Sequence, residues 1–164
     1  SGTPVEIQFQ GQKILSQAVG GTYCSGFTFT VVMEAAASRG VLNGKTVAEI
    51  KAFQKQWYGV TKGSEEQQCV VAVEALGIGS SVAHDDARPG DFVQFWRKGS
   101  GHSVVLLEWI TSGDQRVGLK YRSSQGKTKG VGDHVEYFSD AIGQTGSVDR
   151  KRTYICRLKP ASAP

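Results

Sequence analysis

The sequence lacks the patterns that mark membrane-spanning, metal-binding and nucleic-acid-binding proteins. No apolar run approaches the roughly 20 residues that a membrane-spanning helix needs. The cysteines and histidines never occur in the C-x-x-C or H-x-x-x-H spacing of a zinc site. The 19 Lys and Arg residues barely exceed the 15 Asp and Glu residues, and no stripe of basic and aromatic residues runs along the chain. We therefore expect no membrane span, no metal or other cofactor and no nucleic-acid partner.

The composition is that of one folded domain. Hydrophobic residues make up 39% of the chain and charged residues 21%, a balance that excludes a disordered protein. A chain of 164 residues is long enough to bury a real core. We expect residues 1–164 to form a single, monomeric domain. Residues 1–22, polar and rich in glycine, are expected to be an N-terminal extension, and residues 160–164 a disordered tail.

Three helices are predicted in the first half of the chain. Residues 23–38 combine a β-prone start with the strongly helical Met-Glu-Ala-Ala-Ala, and Gly40 suits the position after a helix end, so we predict a helix there. The capping boxes Thr-Val-Ala-Glu and Ser-Glu-Glu-Gln predict two more helices, over residues 46–58 and 64–76, the second ending at Gly77.

Strand-like segments follow the turn formed by Arg88-Pro89-Gly90. Gly, Ser and Asp turns separate five predicted strands, and residues 5–9 alternate like an edge strand. The five lie over residues 91–96, 103–110, 117–124, 134–138 and 153–158. Helices first and strands afterwards, without alternation, indicate an α+β fold with an antiparallel sheet of about five strands.

The tetrapeptide Tyr23-Cys24-Ser25-Gly26 offers a candidate nucleophile. A cysteine at a helix start lies where the helix dipole and free N–H groups favour a thiolate and can hold an oxyanion. Gly26 keeps the backbone slim, which would let a substrate approach. On this tetrapeptide alone, a buried structural cysteine is the simpler interpretation. Cys69 lies on a predicted apolar helix stripe and Cys156 alternates like a strand core residue, so both are expected in the core, and a disulfide between them stays open.

His102 is the histidine best placed to serve as a base. It follows the flexible Gly99-Ser100-Gly101 and leads into an apolar strand, which would hold the imidazole rigidly yet within reach of solvent. His84 lies in a polar loop, and His134 follows Gly132-Asp133. A lone histidine at a strand start is more often structural, so this position alone does not establish catalysis.

Three motifs in this order resemble the NlpC-type and CHAP-type cell-wall hydrolases. They are Cys-Ser-Gly-Phe at 24–27, Arg-Pro-Gly-Asp-Phe-Val-Gln-Phe at 88–95 and Gly-His-Ser-Val-Val at 101–105. The resemblance covers roughly residues 20–125. It implies a papain-like fold that cleaves amide bonds of peptidoglycan as an amidase or endopeptidase, and a secreted or periplasmic protein whose signal peptide is not part of this chain.

The resemblance also implies roles for individual residues. Cys24 would be the nucleophile and His102 its base, and a polar residue on the following strand, 117–125, would orient the imidazole. Gln125 is the best match for that third residue and Ser123, on the same strand face, is the second. Tyr23, which stands where many NlpC-type enzymes have aspartate, and Ser25 are candidates for contacts with the oxyanion or the substrate. Asp91 is expected to shape its turn.

Two other functions stay open on the sequence. One is acyl transfer, or hydrolysis of other amides or peptides, by the same thiol chemistry. The other is a non-catalytic cell-wall binding module that keeps the scaffold. The reactivity of Cys24 towards an alkylating reagent separates catalysis from binding, and the identity of the substrate separates the two catalytic alternatives.

Overall fold

The helices lie close to their predicted positions. The computed structural model describes residues 1–163, with α1 over Cys24–Ser38, α2 over Val47–Trp57 and α3 over Cys69–Leu76. The first two predictions are confirmed. Gly40, with φ of 70°, follows the last turn of α1. The predicted capping box opens α2, because the Thr46 hydroxyl accepts from the Glu49 N–H while the Glu49 carboxylate accepts from the Thr46 N–H.

The predicted start of the third helix is wrong. The Ser-Glu-Glu-Gln box predicted a start at Ser64, but α3 begins five residues later, and residues 64–68 form turns. The Ser64 hydroxyl donates to the carbonyl of Thr61 at 2.8 Å instead of capping a helix. Gln68, at the N-cap, has a φ of 37° that no helix continues through. The predicted end is right, since Gly77 closes α3 in the left-handed conformation.

Tertiary contacts of Glu66 explain the shortened helix. Its carbonyl oxygen accepts a hydrogen bond from the indole N–H of Trp96 at 2.8 Å. Its carboxylate binds the Arg152 guanidinium through two hydrogen bonds of 2.7 and 2.8 Å. Both partners come from the strand half of the chain, so long-range contacts here override the local capping signal.

Six strands form one antiparallel sheet: β3 (Gly79–Ser81), β4 (Phe92–Arg97), β5 (Ser100–Ser112), β6 (Gln115–Gln125), β7 (Gly130–Tyr137) and β8 (Thr153–Leu158). Their order in the sheet is β3-β8-β4-β5-β6-β7. All five predicted strands are present, and β3 is an addition that the sequence did not suggest. The α+β class with an antiparallel sheet is therefore confirmed, with six strands instead of about five.

The N-terminal segment forms a hairpin outside the main sheet. Within residues 5–9, where the alternation indicated an edge strand, the structure has β1 (Ile7–Phe9), which pairs with β2 (Gln12–Leu15) in a separate two-stranded sheet. Ile7 is buried and joins the core under the helices, so this extension packs on the domain. In the predicted tail, the Ser162 N–H donates to the Arg39 carbonyl at 2.8 Å, whereas Pro164 lies outside the described residues.

The two faces of the sheet bury two separate clusters. Phe92 packs with Phe29, Phe53 and Trp57 of the helices. The other cluster consists of buried residues from β4, β5, β6 and β8 and from the segment after β7: Val93, Phe95, Val104, Leu106, Leu119, Tyr121, Phe138, Val148 and Ile155. Neighbouring strand residues therefore belong to different faces. Within residues 1–163, no helix is long and apolar enough to cross a membrane.

Candidate active site

Cys24 is the first residue of α1 and is partly exposed, so it is not a buried structural cysteine. Tyr23 before it is extended and contributes no side-chain cap. The N–H groups of Cys24 and Ser25 therefore point out of the helix end without a helical partner. A helix end of this kind favours negative charge, on a thiolate or on a bound oxyanion.

Two pairs of hydroxyl groups fix the start of α1 on the sheet. One turn after Cys24, the buried Thr28 donates to the Cys24 carbonyl at 3.0 Å, and its Oγ1 lies 2.7 Å from Oγ of Ser103 on β5. Just before the helix, Oγ1 of Thr22 lies 2.5 Å from Oγ of Ser124 on β6. Because these pairs join residues far apart in sequence, they hold the Cys24 backbone at the ends of β5 and β6.

Gly26 does not open space for a substrate, contrary to the sequence-based expectation. A Cβ built on Gly26 would overlap the backbone carbonyl of Gly2. The N-terminal residues therefore occupy the space that this glycine leaves. Gly2 also accepts a 3.1 Å hydrogen bond from the Tyr23 N–H, which ties the N-terminal segment to the helix start. Close backbone packing is thus the reason for glycine at position 26.

A narrow cleft of about 140 Å³ lies in front of Cys24. It brings together the predicted nucleophile, the predicted base and several residues that sequence analysis did not select. Its lining comprises Cys24, Ser25, Gln68, Gln94, Trp96, Gly101, His102 and Ser103. The lining does not include Tyr23, whose ring packs edge-on against Tyr58 with centroids 6.3 Å apart and is 46% exposed.

His102 enters this site from the sheet, with its ring largely buried. The imidazole stacks edge-on against Phe95 and Tyr121, with centroid distances of 5.6 and 5.5 Å. Strand alternation places this ring on the sheet face opposite to Ser103, which contacts α1. Among the described residues, no hydrogen bond joins Cys24 to His102. Nε2 of His102 is fully buried and has no hydrogen-bond partner within residues 1–163.

The surroundings of His102 favour its neutral form. Burial is the largest effect and the positive charge of Arg97 the second, and together they lower its pKa from 6.5 to about 4. Glu136 and a hydrogen-bonding contact with Gln125 act in the opposite direction, and His134 adds a small lowering. At neutral pH the imidazole is therefore uncharged and able to accept a proton.

This lowered pKa predicts that the protein loses stability in acid through His102. Between pH 6.5 and about 4 the unfolded chain binds a proton that the folded protein does not, so the free energy of unfolding falls as the pH falls. The shift corresponds to about 3 kcal/mol. Urea unfolding of the wild type and His102→Gln from pH 7.5 to 4 checks this. The wild type should lose about 3 kcal/mol more than the variant, whereas parallel curves would contradict the prediction.

Of the two candidates for the third residue, Gln125 lies beside His102. It is the last residue of β6, and its amide contact with His102 is one of the effects that set the imidazole pKa. Ser123 is buried and its hydroxyl donates to the backbone carbonyl of Ser103 at 2.7 Å. The Ser123 hydroxyl is therefore committed to the backbone of β5.

The remaining histidines lie outside the cleft. Nε2 of His84 lies 2.7 Å from the Thr153 carbonyl oxygen, on the far side of β4. His134, on β7, stacks edge-on against Tyr121 with centroids 6.0 Å apart, behind His102. Asp91 is buried, accepts from the Arg88 N–H and forms an ion pair with Arg157, which confirms its role in the turn.

The other two cysteines are core residues, as predicted. Cys69 and Cys156 are 1% and 0% exposed, and both are free thiols in the structure. Burial and the neighbouring thiol of Cys69 raise the pKa of the Cys156 thiol, which keeps it protonated and unreactive. Within residues 1–163, no group of three or more His, Cys, Asp or Glu side chains is arranged to hold a metal ion.

Gln94 also lies at the site, and sequence analysis missed it although the sequence contained a signal for it. It is 2% exposed, and its Oε1 has no hydrogen-bond partner. A Cβ on Gly101 would lie 2.7 Å from its Nε2, so the absent side chain of Gly101 makes room for this amide. A single polar residue inside the apolar strand Phe-Val-Gln-Phe-Trp is unusual because burying an amide costs free energy unless it is used.

Comparisons with known proteins do not assign this site to a family. No family model matches the sequence, and searches of the curated proteins and of the solved structures gave no significant match. The site is therefore described by its own residues. A cysteine at an uncapped helix start and a buried neutral histidine line one cleft together with Gln68 and Gln94.

Proposed function

We propose that this protein is a cysteine hydrolase that cleaves amide bonds of peptidoglycan, outside the cytoplasmic membrane. The observation that carries the proposal is that Cys24, at an uncapped helix start, and His102, whose imidazole is neutral, line the same narrow cleft. The resemblance of the three motifs to NlpC-type and CHAP-type enzymes supplies the substrate class. The helices followed by an antiparallel sheet are compatible with the papain-like fold of those enzymes.

The proposed reaction passes through a covalent acyl-enzyme. Nδ1 of His102 takes the thiol proton, and Sγ of Cys24 attacks the amide carbonyl to form a tetrahedral oxyanion. The imidazolium then gives the proton to the leaving amine, and the C–N bond breaks. In the second half, His102 takes a proton from water, whose oxygen attacks the thioester carbonyl. The C–S bond then breaks, the carboxylic acid is released, and the imidazolium returns its proton to Sγ of Cys24. Catalytic hydrogen bonds often form only with bound substrate, which accounts for the absence of a Cys24–His102 bond here.

The oxyanion would be held by the helix start and by Gln94. The unpaired N–H groups at Cys24 and Ser25 offer two donors. Gln94 lines the same cleft, and within residues 1–163 its amide forms one long hydrogen bond of 3.5 Å, from Nε2 to the Phe95 carbonyl. Its N–H₂ group is therefore available to a negative oxygen in the cleft.

The size of the cleft suits a reacting group and not a whole substrate. Its volume of about 140 Å³ is below the roughly 300–1,000 Å³ of pockets that enclose complete small molecules. A peptide stem of the cell wall would thus place only the scissile amide between Cys24 and His102. The rest of the chain would lie across the surface near Trp96 and Gln68.

Digestion of purified peptidoglycan tests this function and separates its alternatives. We expect soluble fragments with new amino groups, whose masses identify the amide that is cut, and no effect of EDTA. Added amine acceptors test acyl transfer, since a transferase would produce an acceptor-linked fragment in place of the free acid. Intact peptidoglycan, with no acceptor product, would contradict the proposed activity and leave the binding module.

A further inference from the structure

Behind His102, the side chains of Gln125, Tyr121 and Glu136 form a row of contacts in which the hydrogen-bond donors and acceptors do not match. The Tyr121 hydroxyl lies 2.9 Å from Oε1 of Gln125 and 2.6 Å from Oε2 of Glu136. A phenol has one proton and cannot donate to both oxygens. Within residues 1–163, Nε2 of Gln125 and Nε2 of His102 are also both buried without a hydrogen-bond partner, although the two side chains are neighbours.

Half a turn of the Gln125 amide, which exchanges its oxygen and nitrogen, removes the conflict at Tyr121. Its Nε2 then donates to the Tyr121 hydroxyl, and the hydroxyl gives its single proton to Glu136. Its Oε1 then takes the place of Nε2 on the side of His102, where an acceptor favours a proton on Nε2 of the imidazole. The oxygen and nitrogen of an amide are assigned from the hydrogen-bond network, and this orientation is the one that lets Tyr121 donate to Glu136.

At the end of this row of contacts away from His102, the charges of Arg97 and Glu136 fix the hydrogen-bond directions. Arg97 binds both carboxylate oxygens of Glu136, with the Nε–Oε1 bond at 2.6 Å. Burial opposes ionisation of Glu136, but hydrogen bonds from Arg97 and Tyr121 outweigh it and hold its pKa below the usual value. Burial and the bond to Glu136 raise the pKa of Tyr121, so the phenol keeps its proton. Glu136 can therefore only accept, and this dictates the direction of every bond up to the imidazole.

We propose that Tyr121 and Glu136 are positioning residues that orient the Gln125 amide, so that His102 carries its proton on Nε2 and presents Nδ1 as the base. The catalytic role in this inference rests on the proposed function, whereas the tautomer of His102 is independent of that function. Neither residue touches the cleft, and both act through Gln125. A neutral amide holds the imidazole without the charge of a carboxylate, so the orientation has to come from the groups behind it.

The tautomer of His102 can be measured without any substrate. Long-range ¹H–¹⁵N spectra of protein labelled with ¹⁵N-histidine distinguish the two neutral tautomers at pH 7. We expect the Nε2–H form in the wild type and a mixture in Gln125→Ala and Tyr121→Phe. Tyr154→Phe is the matched control, because Tyr154 donates to Glu66, which binds Arg152, in a second Tyr–Glu–Arg group that does not reach His102.

Activity adds a second readout of the same variants. Tyr121→Phe should lower kcat on peptidoglycan fragments about 10-fold with KM unchanged, since it removes part of an acid–base contribution, and Tyr154→Phe should not. An Nδ1–H tautomer in the wild type, or a Tyr121→Phe spectrum identical to that of the wild type, would overturn the inference. The expected tautomers in a protein without hydrolase activity would support the inference and contradict the proposed function.

Discussion

Cys24→Ala is expected to abolish turnover of peptidoglycan, by at least about 1,000-fold, because it removes the thiol that forms the proposed acyl-enzyme. The free energy of unfolding should hardly change. The Cys24 side chain is partly exposed, and in the part of the chain that the structure describes its one polar contact is with Oγ of Ser25, at 3.9 Å. The released fragments are measured by mass spectrometry, and urea unfolding is measured on the same preparation.

Cys69→Ala is the matched control for this substitution. It removes the same atom from a side chain that is 1% exposed in the helix core, so it should cost about 1 kcal/mol or more of stability. Its activity below the unfolding transition should equal that of the wild type. If Cys24→Ala and the wild type were equally active on every amide substrate tested, Cys24 would not be the nucleophile.

Substitution of His102 has the second largest expected effect. Loss of the general base should lower kcat by about 10²- to 10⁴-fold, while the nucleophile and the oxyanion donors remain. Because His102 is 6% exposed, His102→Ala leaves a cavity that costs stability on its own account. His102→Gln fills more of that space, so activity lost equally in both variants is attributable to the missing base.

The other two histidines supply the controls. His84→Ala and His134→Ala should keep most of the activity, because neither side chain lines the cleft with Cys24. His134 is the more demanding control, since its ring contacts Tyr121 behind His102. If either control lost activity while His102→Gln kept it, the assignment of the base to β5 would be wrong.

Local signals predicted the fold where they agree with long-range contacts. The capping box at Thr46 and the apolar strand segments needed no information beyond their own residues, and the helices and strands form there. The same signal failed at Ser64, because Glu66 is held by Trp96 and Arg152, which are 30 and 86 residues away in sequence. Sequence patterns do not reveal such partners before the sheet register is known.

The same distinction between local signals and long-range contacts applies to the candidate site. Cys24 and His102 were selected because a helix start and a predicted strand start are local features, although β5 itself begins at Ser100 and His102 lies inside it. The groups that position these two residues are brought together by the strand register. Thr28 contacts Ser103, 75 residues away in sequence, and Tyr121 contacts Glu136, 15 residues away. Strand alternation alone indicated that Ser123 and Gln125 share a face, but only the structure showed that Ser123 bonds to the backbone. The contact of Gln125 with His102 depends on the pairing of β5 with β6.

Alkylation of Cys24 tests the central claim, that His102 activates this thiol, without any assumption about the substrate. The native protein is treated with iodoacetamide at pH 7, and each cysteine is quantified by peptide mass spectrometry over time. We expect Cys24 to react first, with the buried Cys69 and Cys156 protected, and its rate to fall at least about 10-fold in His102→Gln, since the thiol must lose its proton to react and His102 is the proposed acceptor of that proton. Equal rates for Cys24 in the wild type and in His102→Gln would contradict the claim.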